Sequence, residues 1–383
     1  MRAYLAAFGS GMGHASRMVT VAEALVAAGH EVRFSSSGEV TMWLRRRGFE
    51  CDDVPLVDVV FTREGSFSAT ATLRSSPLIL ARLVRQVARE VEHIGRFSPR
   101  VVVSDSVVST VAAARLLGVR SVAVVNQLML FSSPRTPTVA ADLITGASKA
   151  ILDAFWGLGG EILVPDLPPP YTISERNLWN AGASSERARY VGFLGMTPRQ
   201  TVPSALPQGW LQEKRRKRVY WQVSGPPATR TSFLEKAIEC AKAMQETHLF
   251  AVSAGNPSGD TAPSAVPGGY LYGWCESSAA FIDSCDAVVS RAGHSSISEF
   301  ISRAKPAVLV PIQAQSEQIG NAEKAQRLGF AVSLDERSLG PGSLADALVA
   351  LSSGRALDKA REMRDVAARY DAVRSVLDVL GLS

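Results

Sequence analysis

A strand, a glycine-rich turn and a helix follow one another within the first 30 residues, and no other feature restricts the fold as much. Residues 3–8 are a short apolar stretch, and Gly9-Ser10-Gly11-Met12-Gly13-His14 is a turn. From Ser16 the apolar positions Val19, Val21, Ala22, Leu25 and Val26 recur at helical spacing until Gly29, and residues 32–35 read as the next strand. A strand that returns through a helix to a second strand predicts a parallel sheet, with its ligand at the carboxyl ends of the strands. The turn is not a dinucleotide fingerprint: His14 stands where a third glycine belongs, and no acidic residue ends the second strand. It is not a P-loop either, because no lysine follows Gly13. Its small residues, Gly11 and Gly13 among them, leave room for a substrate. At the far end His14 either caps and packs, or serves as a general base at the sheet rim.

The same order returns later. Val288-Val289-Ser290 runs into Arg291-Ala292-Gly293-His294-Ser295 and then a helix start reaching Glu299. Free N–H groups and the positive end of the helix dipole favour an anion there, and Gly293 lets a phosphate approach the backbone. The alternative is local, with Ser296 capping the helix and Glu299 closing a capping box. A chain of 383 residues is too long for one ordinary core. The expected division is a first domain over 1–195, a proline-punctuated, basic linker over 196–218 and a second domain over 219–356. A helical segment, 357–383, has no strand after it and crosses back to the first domain.

Other candidate residues sit at strand ends. Strand 101–104 places Asp105 on the same rim as His14, where a carboxylate orients an imidazole and stabilises its protonated form; capping, or pairing with an arginine, is the plainer role. Asn126 and Gln127, after strand 121–125, face the same region. In the second half, Ser224-Gly225 follows strand 219–223, and Gly273-Trp274 closes the segment from Gly269. Strand 307–311 delivers Gln313, Gln315, Glu317, Gln318 and Asn321 into one polar loop and helix start. Amides with a carboxylate suit a polyhydroxylated ligand, whose hydroxyls both donate and accept, and they equally suit an ordinary helix N-terminus.

Composition excludes several classes. No apolar run approaches the roughly 20 residues that span a bilayer, and the N-terminus carries no basic segment before an apolar signal core, so a cytoplasmic protein is expected. The four cysteines lack C-x-x-C spacing and are expected as buried free thiols. A net charge of +5 and a pI near 9.1 favour acidic ligands or lipid headgroups, and without a nucleic-acid motif they do not argue for nucleic acid. In the helix from Pro77 to Val91, Leu78, Ile79, Leu80, Leu83, Val84 and Val87 alternate with Arg82, Arg85 and Arg89. That face packs on the core, lies on an anionic membrane or covers an acceptor cleft. Residues 62–76 read as a loop, and 128–131 and 151–158 as apolar patches.

Together these residues resemble the GT-B nucleotide-sugar glycosyltransferases, in the branch holding the MurG enzyme of peptidoglycan synthesis and the macrolide and plant glucosyltransferases. The carrying stretches are Gly9 to His14 with Arg17, Ser290 to Glu299, and Pro311 through Glu317-Gln318 to Asn321-Ala322. The resemblance implies an α/β GT-B fold, two Rossmann-like parallel-sheet domains facing across a cleft, the first binding the acceptor and the second the donor. It implies that Arg291, Gly293, His294 and Ser295 grip the donor diphosphate and that Glu299 binds the ribose. Glu317-Gln318 would hold the sugar, Ser224-Gly225 would close over the phosphates with Gly11 and Gly13 on the donor side, and Gly273-Trp274 would meet the nucleobase. His14 with Asp105 matches the base pair of the antibiotic and plant enzymes, whereas Ser290-Arg291-Ala292-Gly293 is closer to the peptidoglycan enzyme, so the acceptor is either a small molecule or a lipid-linked sugar. The implied reaction is inverting and metal-independent, with no cofactor beyond the nucleotide sugar, a UDP-sugar such as UDP-N-acetylglucosamine. Peripheral contact at the inner membrane face is a further expectation. A nucleotide-sugar 2-epimerase and a non-catalytic partner protein use the same fold and stand as alternatives.

Overall fold

The first unit is built on β1 (Arg2–Ala7), β2 (Glu31–Ser36), β3 (Cys51–Asp53), β4 (Val101–Asp105), β5 (Arg120–Val124), β6 (Glu161–Val164) and β7 (Ala188–Tyr190). They pair in the order β3-β2-β1-β4-β5-β6-β7, every neighbour parallel. All of β1 after Arg2 is buried, as a strand covered on both faces requires. Its helices include α1 (Met12–Ala27), α2 (Gly38–Arg46), α3 (Ser76–Phe97) and α4 (Val108–Leu116). Leu5, Met18, Leu25, Phe34 and Val103 share one core. The computed structural model describes residues 1–9, 11–57, 75–128, 146, 150–151, 153–178, 187–196, 206–313 and 315–382.

The second unit carries β8 (Lys217–Gln222), β9 (His248–Ser253), β10 (Ser264–Val266), β11 (Gly269–Tyr272), β12 (Ala287–Ser290), β13 (Ala307–Leu309) and β14 (Ala331–Ser333). Their order is β10-β11-β9-β8-β12-β13-β14, parallel except for the β10–β11 pair. Helices α5 (Pro227–Ala243), α6 (Ser278–Ser284), α7 (His294–Ser302), α8 (Ser316–Leu328), α9 (Pro341–Ser352) and α10 (Gly354–Ala367) complete it. Trp221, Phe233, Phe250, Val289 and Leu344 form the centre of its core.

Each sheet has one place where the strand order reverses. In the first it lies between β1 and β4, whose register sets Ala7 beside Asp105. In the second it lies between β8 and β12, where Gln222 pairs with Ser290. Open α/β sheets take their ligands at such reversal points. The turns after β1, β8 and β12 all open there.

The chain divides as Met1–Thr62 with Ser66–Met196 and Tyr370–Ser383, and as Arg63–Gly65 with Thr197–Arg369. Two expectations change accordingly. The stretch expected as a linker belongs to the second unit: a one-turn helix, Gln208–Leu211, buries Trp210 completely, its Nε1 donating to Ser284. The C-terminal segment splits, with α10 in the second unit. The last helix, α11 (Ala372–Leu380), packs Val376 and Leu380 into the first core.

Helix α3 also departs from its pattern. Leu78, Leu80 and Val84 are exposed while Gln86 and Glu90 are buried. Spacing alone put the apolar stripe on the core, a membrane or an acceptor cleft; Leu83, Val87 and Val91 are half-buried, and the hydroxyl partners of Glu90 draw that polar residue inward beside them. Helix α1 begins at Met12, because Gly11 turns the chain with φ 105°. The four cysteines are buried and free. No described helix is long and apolar enough to cross a membrane. The loop expected over 62–76 lies, up to residue 74, outside the described residues, as do residues 129–131 of the apolar patch.

Candidate active site

In the first unit, α1 carries His14 in its opening turn, followed by Arg17 at the i+3 position, so both side chains emerge on one side. Asp105, the last residue of β4, is fully buried and meets both. His14 Nδ1 lies 2.8 Å from Asp105 Oδ1. Arg17 donates to the same carboxylate twice, from Nε to Oδ2 at 2.7 Å and from Nη2 to Oδ1 at 2.8 Å. Arg17 Nη2 is also 2.9 Å from His14 Nδ1. Two donors meeting at Oδ1 explain that approach: with the proton on Nδ1, the shared oxygen accepts from both. That tautomer leaves the Nε2 lone pair available as a base, and the His14 side chain is 23% exposed.

Burial alone would raise the Asp105 carboxyl, but the charges and hydrogen bonds of Arg17 and His14 outweigh it and hold the group well below the carboxylate range. The next residue, Ser106, sits in the left-handed region at φ 62° and donates through Oγ to Asp105 Oδ1. Such backbone in a non-glycine residue is strained and concentrates at functional sites. Buried Asn126 places Oδ1 3.5 Å from Arg17 Nη2, while Gln127 is half-buried. The Phe8 ring stands edge-on to His14, centroids 5.5 Å apart. In the sequence Arg17 stands out only as part of the motif that begins at Gly9. Its i+3 spacing from His14 was the available signal.

In the second unit, α7 starts at His294 with Gly293 as N-cap and no side-chain cap. The capping box is therefore absent: Ser296 lies inside the first turn, and Glu299 accepts from Arg303 Nε at 3.3 Å. Burial raises the Glu299 carboxyl, and the Arg303 charge opposes that rise. A Cβ at Gly293 would meet nothing within 4 Å, so open space fronts the N-terminus of α7. Half-buried Ser295 lies beside that space, whereas His294 is only 4% exposed. Gly225, after Ser224, has φ 103°, and its carbonyl accepts from Arg230 Nε at 2.7 Å.

The role expected of Arg291 is corrected. It is fully buried, pairing with Glu336 through Nη1 and Nη2 at 2.8 and 2.9 Å. It donates further to the carbonyls of Val310 and Thr229 and stacks its guanidinium 4.0 Å from the Phe233 ring centroid. Arg291 thus ties the turn after β12 to the start of α5 and the loop after β14, and it does not face a diphosphate.

The polar cluster after β13 is also partly structural. Gln318 Oε1 accepts from Ile312 N at 3.0 Å, and Asn321 donates to the Ala292 carbonyl at 3.1 Å. Glu317, in the first turn of α8, is half-buried. Gly273 is explained by packing, since a Cβ there would come within 2.6 Å of Asp260 N, and the Trp274 amide donates to the Asp260 carbonyl. Among the described residues no group of three His, Cys, Asp or Glu side chains could hold a metal ion.

Comparison with known proteins places the chain among glycosyltransferases. Residues 232–375 match the glycosyltransferase family 28 C-terminal domain, and residues 1–156 match glycosyl transferase family 1. An uncharacterized glycosyltransferase of Methanosarcina acetivorans is 26% identical, over 84% of this chain and 82% of that protein. The UDP-N-acetylglucosamine--N-acetylmuramyl-(pentapeptide) pyrophosphoryl-undecaprenol N-acetylglucosamine transferase of Chromobacterium violaceum is 37% identical, over 25% of this chain and 27% of its own. Among solved structures, the spinosyn rhamnosyltransferase SpnG complexed with thymidine diphosphate has a TM-score of 0.70 at 15% identity, with 100% of both chains covered. That last likeness is one of fold.

Proposed function

Since the chain is a glycosyltransferase of the GT-B fold, we propose that it moves a hexose from a pyrimidine nucleoside diphosphate to an acceptor hydroxyl, with inversion and without a metal. The observation that carries this reading is the His14–Asp105–Arg17 constellation at the strand-order reversal of the first sheet. His14 Nε2 takes the proton of the acceptor hydroxyl. The freed oxygen bonds to the anomeric carbon as the bond from that carbon to the diphosphate oxygen breaks. The negative charge leaving with the diphosphate is met by the uncapped N-terminus of α7, where Gly293 leaves the approach open.

Our choice of donor is UDP-N-acetylglucosamine, supported by the partial match to transferases of that sugar. The thymidine diphosphate bound by the spinosyn enzyme supports the wider pyrimidine class. Glu299 would bind the ribose, and Glu317 with the Gln318 amide nitrogen the sugar. The acceptor is a small molecule or a lipid-linked sugar. Contact with the inner membrane face would use Leu78, Leu80 and Val84, which α3 exposes.

The test is calorimetric titration with UDP-N-acetylglucosamine, UDP-glucose and TDP-glucose, followed by product analysis with and without added acceptors. Binding of one donor and acceptor-dependent release of nucleoside diphosphate are expected. Conversion of the donor sugar to its 2-epimer with no acceptor present would overturn the transferase mechanism in favour of epimerisation.

A further inference from the structure

A small cavity opens in the first unit at the carboxyl ends of β1 and β2, between Phe8-Gly9 and the inward stripe of α3, where Gln86 and Glu90 line it. It has room for about one water-sized group, so it holds the tip of a ligand rather than a whole one. Glu90 is fully buried and Gln86 is 6% exposed.

The partners of Glu90 are all hydroxyls. Its Oε1 accepts from Ser35 at 2.8 Å and Thr110 at 2.7 Å, and its Oε2 from Tyr4 at 3.0 Å. No cation pairs with it among the described residues. The nearby guanidinium of Arg33 is bidentate to Asp52, at 3.0 and 3.1 Å, and His93 also faces Asp52. Gln86, a residue more than nine-tenths buried, makes no side-chain hydrogen bond among the described residues and lines the cavity. A buried carboxylate without a counter-charge is unfavourable, and beside it in the same cavity Gln86 has unused hydrogen-bonding capacity.

We propose that this cavity is a subsite for a primary ammonium group, which donates to the Glu90 carboxylate and the Gln86 carbonyl, and that the ligand bearing it is an aminated acceptor. An ammonium supplies both things the cavity lacks, a positive charge and hydrogen-bond donors, and its three N–H groups match acceptors in a confined space. Phe8 lines the cavity and also packs against His14, so the cavity lies close to the base. Only the ligand's role as acceptor rests on the proposed transferase reading. Burial pushes Glu90 up to about 7, with the Thr110, Ser35 and Tyr4 hydrogen bonds opposing the rise. The subsite therefore gains its charge near neutrality.

The test is titration of the full chain with methylammonium chloride, against sodium chloride at equal ionic strength and against methanol, followed by calorimetry. Saturable binding of methylammonium is expected at about pH 8, weakening roughly thirtyfold at about pH 5.5 as Glu90 takes up a proton. Glu90→Gln should abolish it, Gln86→Leu should weaken it, and glucosamine should bind where glucose does not. Equal responses to the methylammonium and sodium salts, the mark of an ordered water only, would overturn the proposal, as would binding retained in Glu90→Gln. If Glu90→Gln does not fold, Gln86→Leu decides: unchanged methylammonium affinity in that variant overturns the subsite. Because methylammonium binding needs neither donor nor turnover, failure of the transferase mechanism would leave this result standing.

Discussion

Arg17 grips both oxygens of Asp105, and its Nη2 also lies 2.9 Å from the His14 Nδ1 that meets the same carboxylate. Removing one partner of a buried charge pair costs on the order of 3–5 kcal/mol, because the other charge is left unpaired. Arg17→Gln should therefore lower stability in denaturant titration by about that amount. Since the Asp105 carboxyl is held low by Arg17, its contribution is present above the ordinary carboxylate range and lost as pH falls through its depressed value. Asp105→Asn should unfold less steeply with acid than the native chain; an unchanged acid transition would contradict the assignment.

His14 is tested by turnover. His14→Ala should reduce it by about a hundredfold or more, with donor affinity little changed, because only proton transfer is removed. Its partial exposure predicts a folded variant by circular dichroism. Undiminished turnover would remove the residue from catalysis.

Two glycines separate ligand approach from backbone need. Gly293 has ordinary φ and ψ of −67° and 140° and open space before it, so Gly293→Ala should fold normally yet weaken nucleotide binding in calorimetry. Gly225, at φ 103° with Ile312 Cδ1 3.0 Å from a new Cβ, should instead lose stability when changed to alanine. Glu299→Ala should also weaken nucleotide binding; full affinity would leave Glu299 as the partner of Arg303 alone.

Glu90 predicts a pH dependence of the opposite sign to Asp105. Its carboxyl is raised, so the native state binds the proton more tightly, and stability from this group is present in acid and lost as pH rises towards about 7. Glu90→Gln should remove that decline, on the order of 3 kcal/mol from a shift of this size. Thermal unfolding from acid to neutral pH measures it, and equal slopes in both proteins would count against a raised Glu90.

The exposed Leu78, Leu80 and Val84 of α3 predict sedimentation with anionic vesicles at low salt, weakened by Leu80→Ser. Recovery of all the protein in the supernatant would remove the membrane from the proposal.

The glycine turns at 9–14 and 288–299 were legible because an apolar strand, a small-residue turn and a helix start are local chemistry. Register then brought Asp105 to His14, as the strand-end reading anticipated. Arg291 could not be read the same way. Its partner, Glu336, is 45 residues away, and only the packed second unit shows that its charge is spent inside. Helix α3 misled for a similar reason: its apolar spacing is genuine, but Tyr4, Ser35 and Thr110, on three other elements, decide which stripe turns inward. Strands of three residues, such as β3 and β14, are too short to show a period at all.

The return of residues 370–383 to the first core means that this half of the protein is not one continuous piece of gene. Exchanging the other half for that of a related enzyme would take two crossovers, near 197 and 369, so the new part enters as an insertion. A single junction after residue 196 would pair the native first half with a foreign tail. The core that surrounds α1, and with it the footing of His14 and Arg17, would then be closed by a helix selected for another protein.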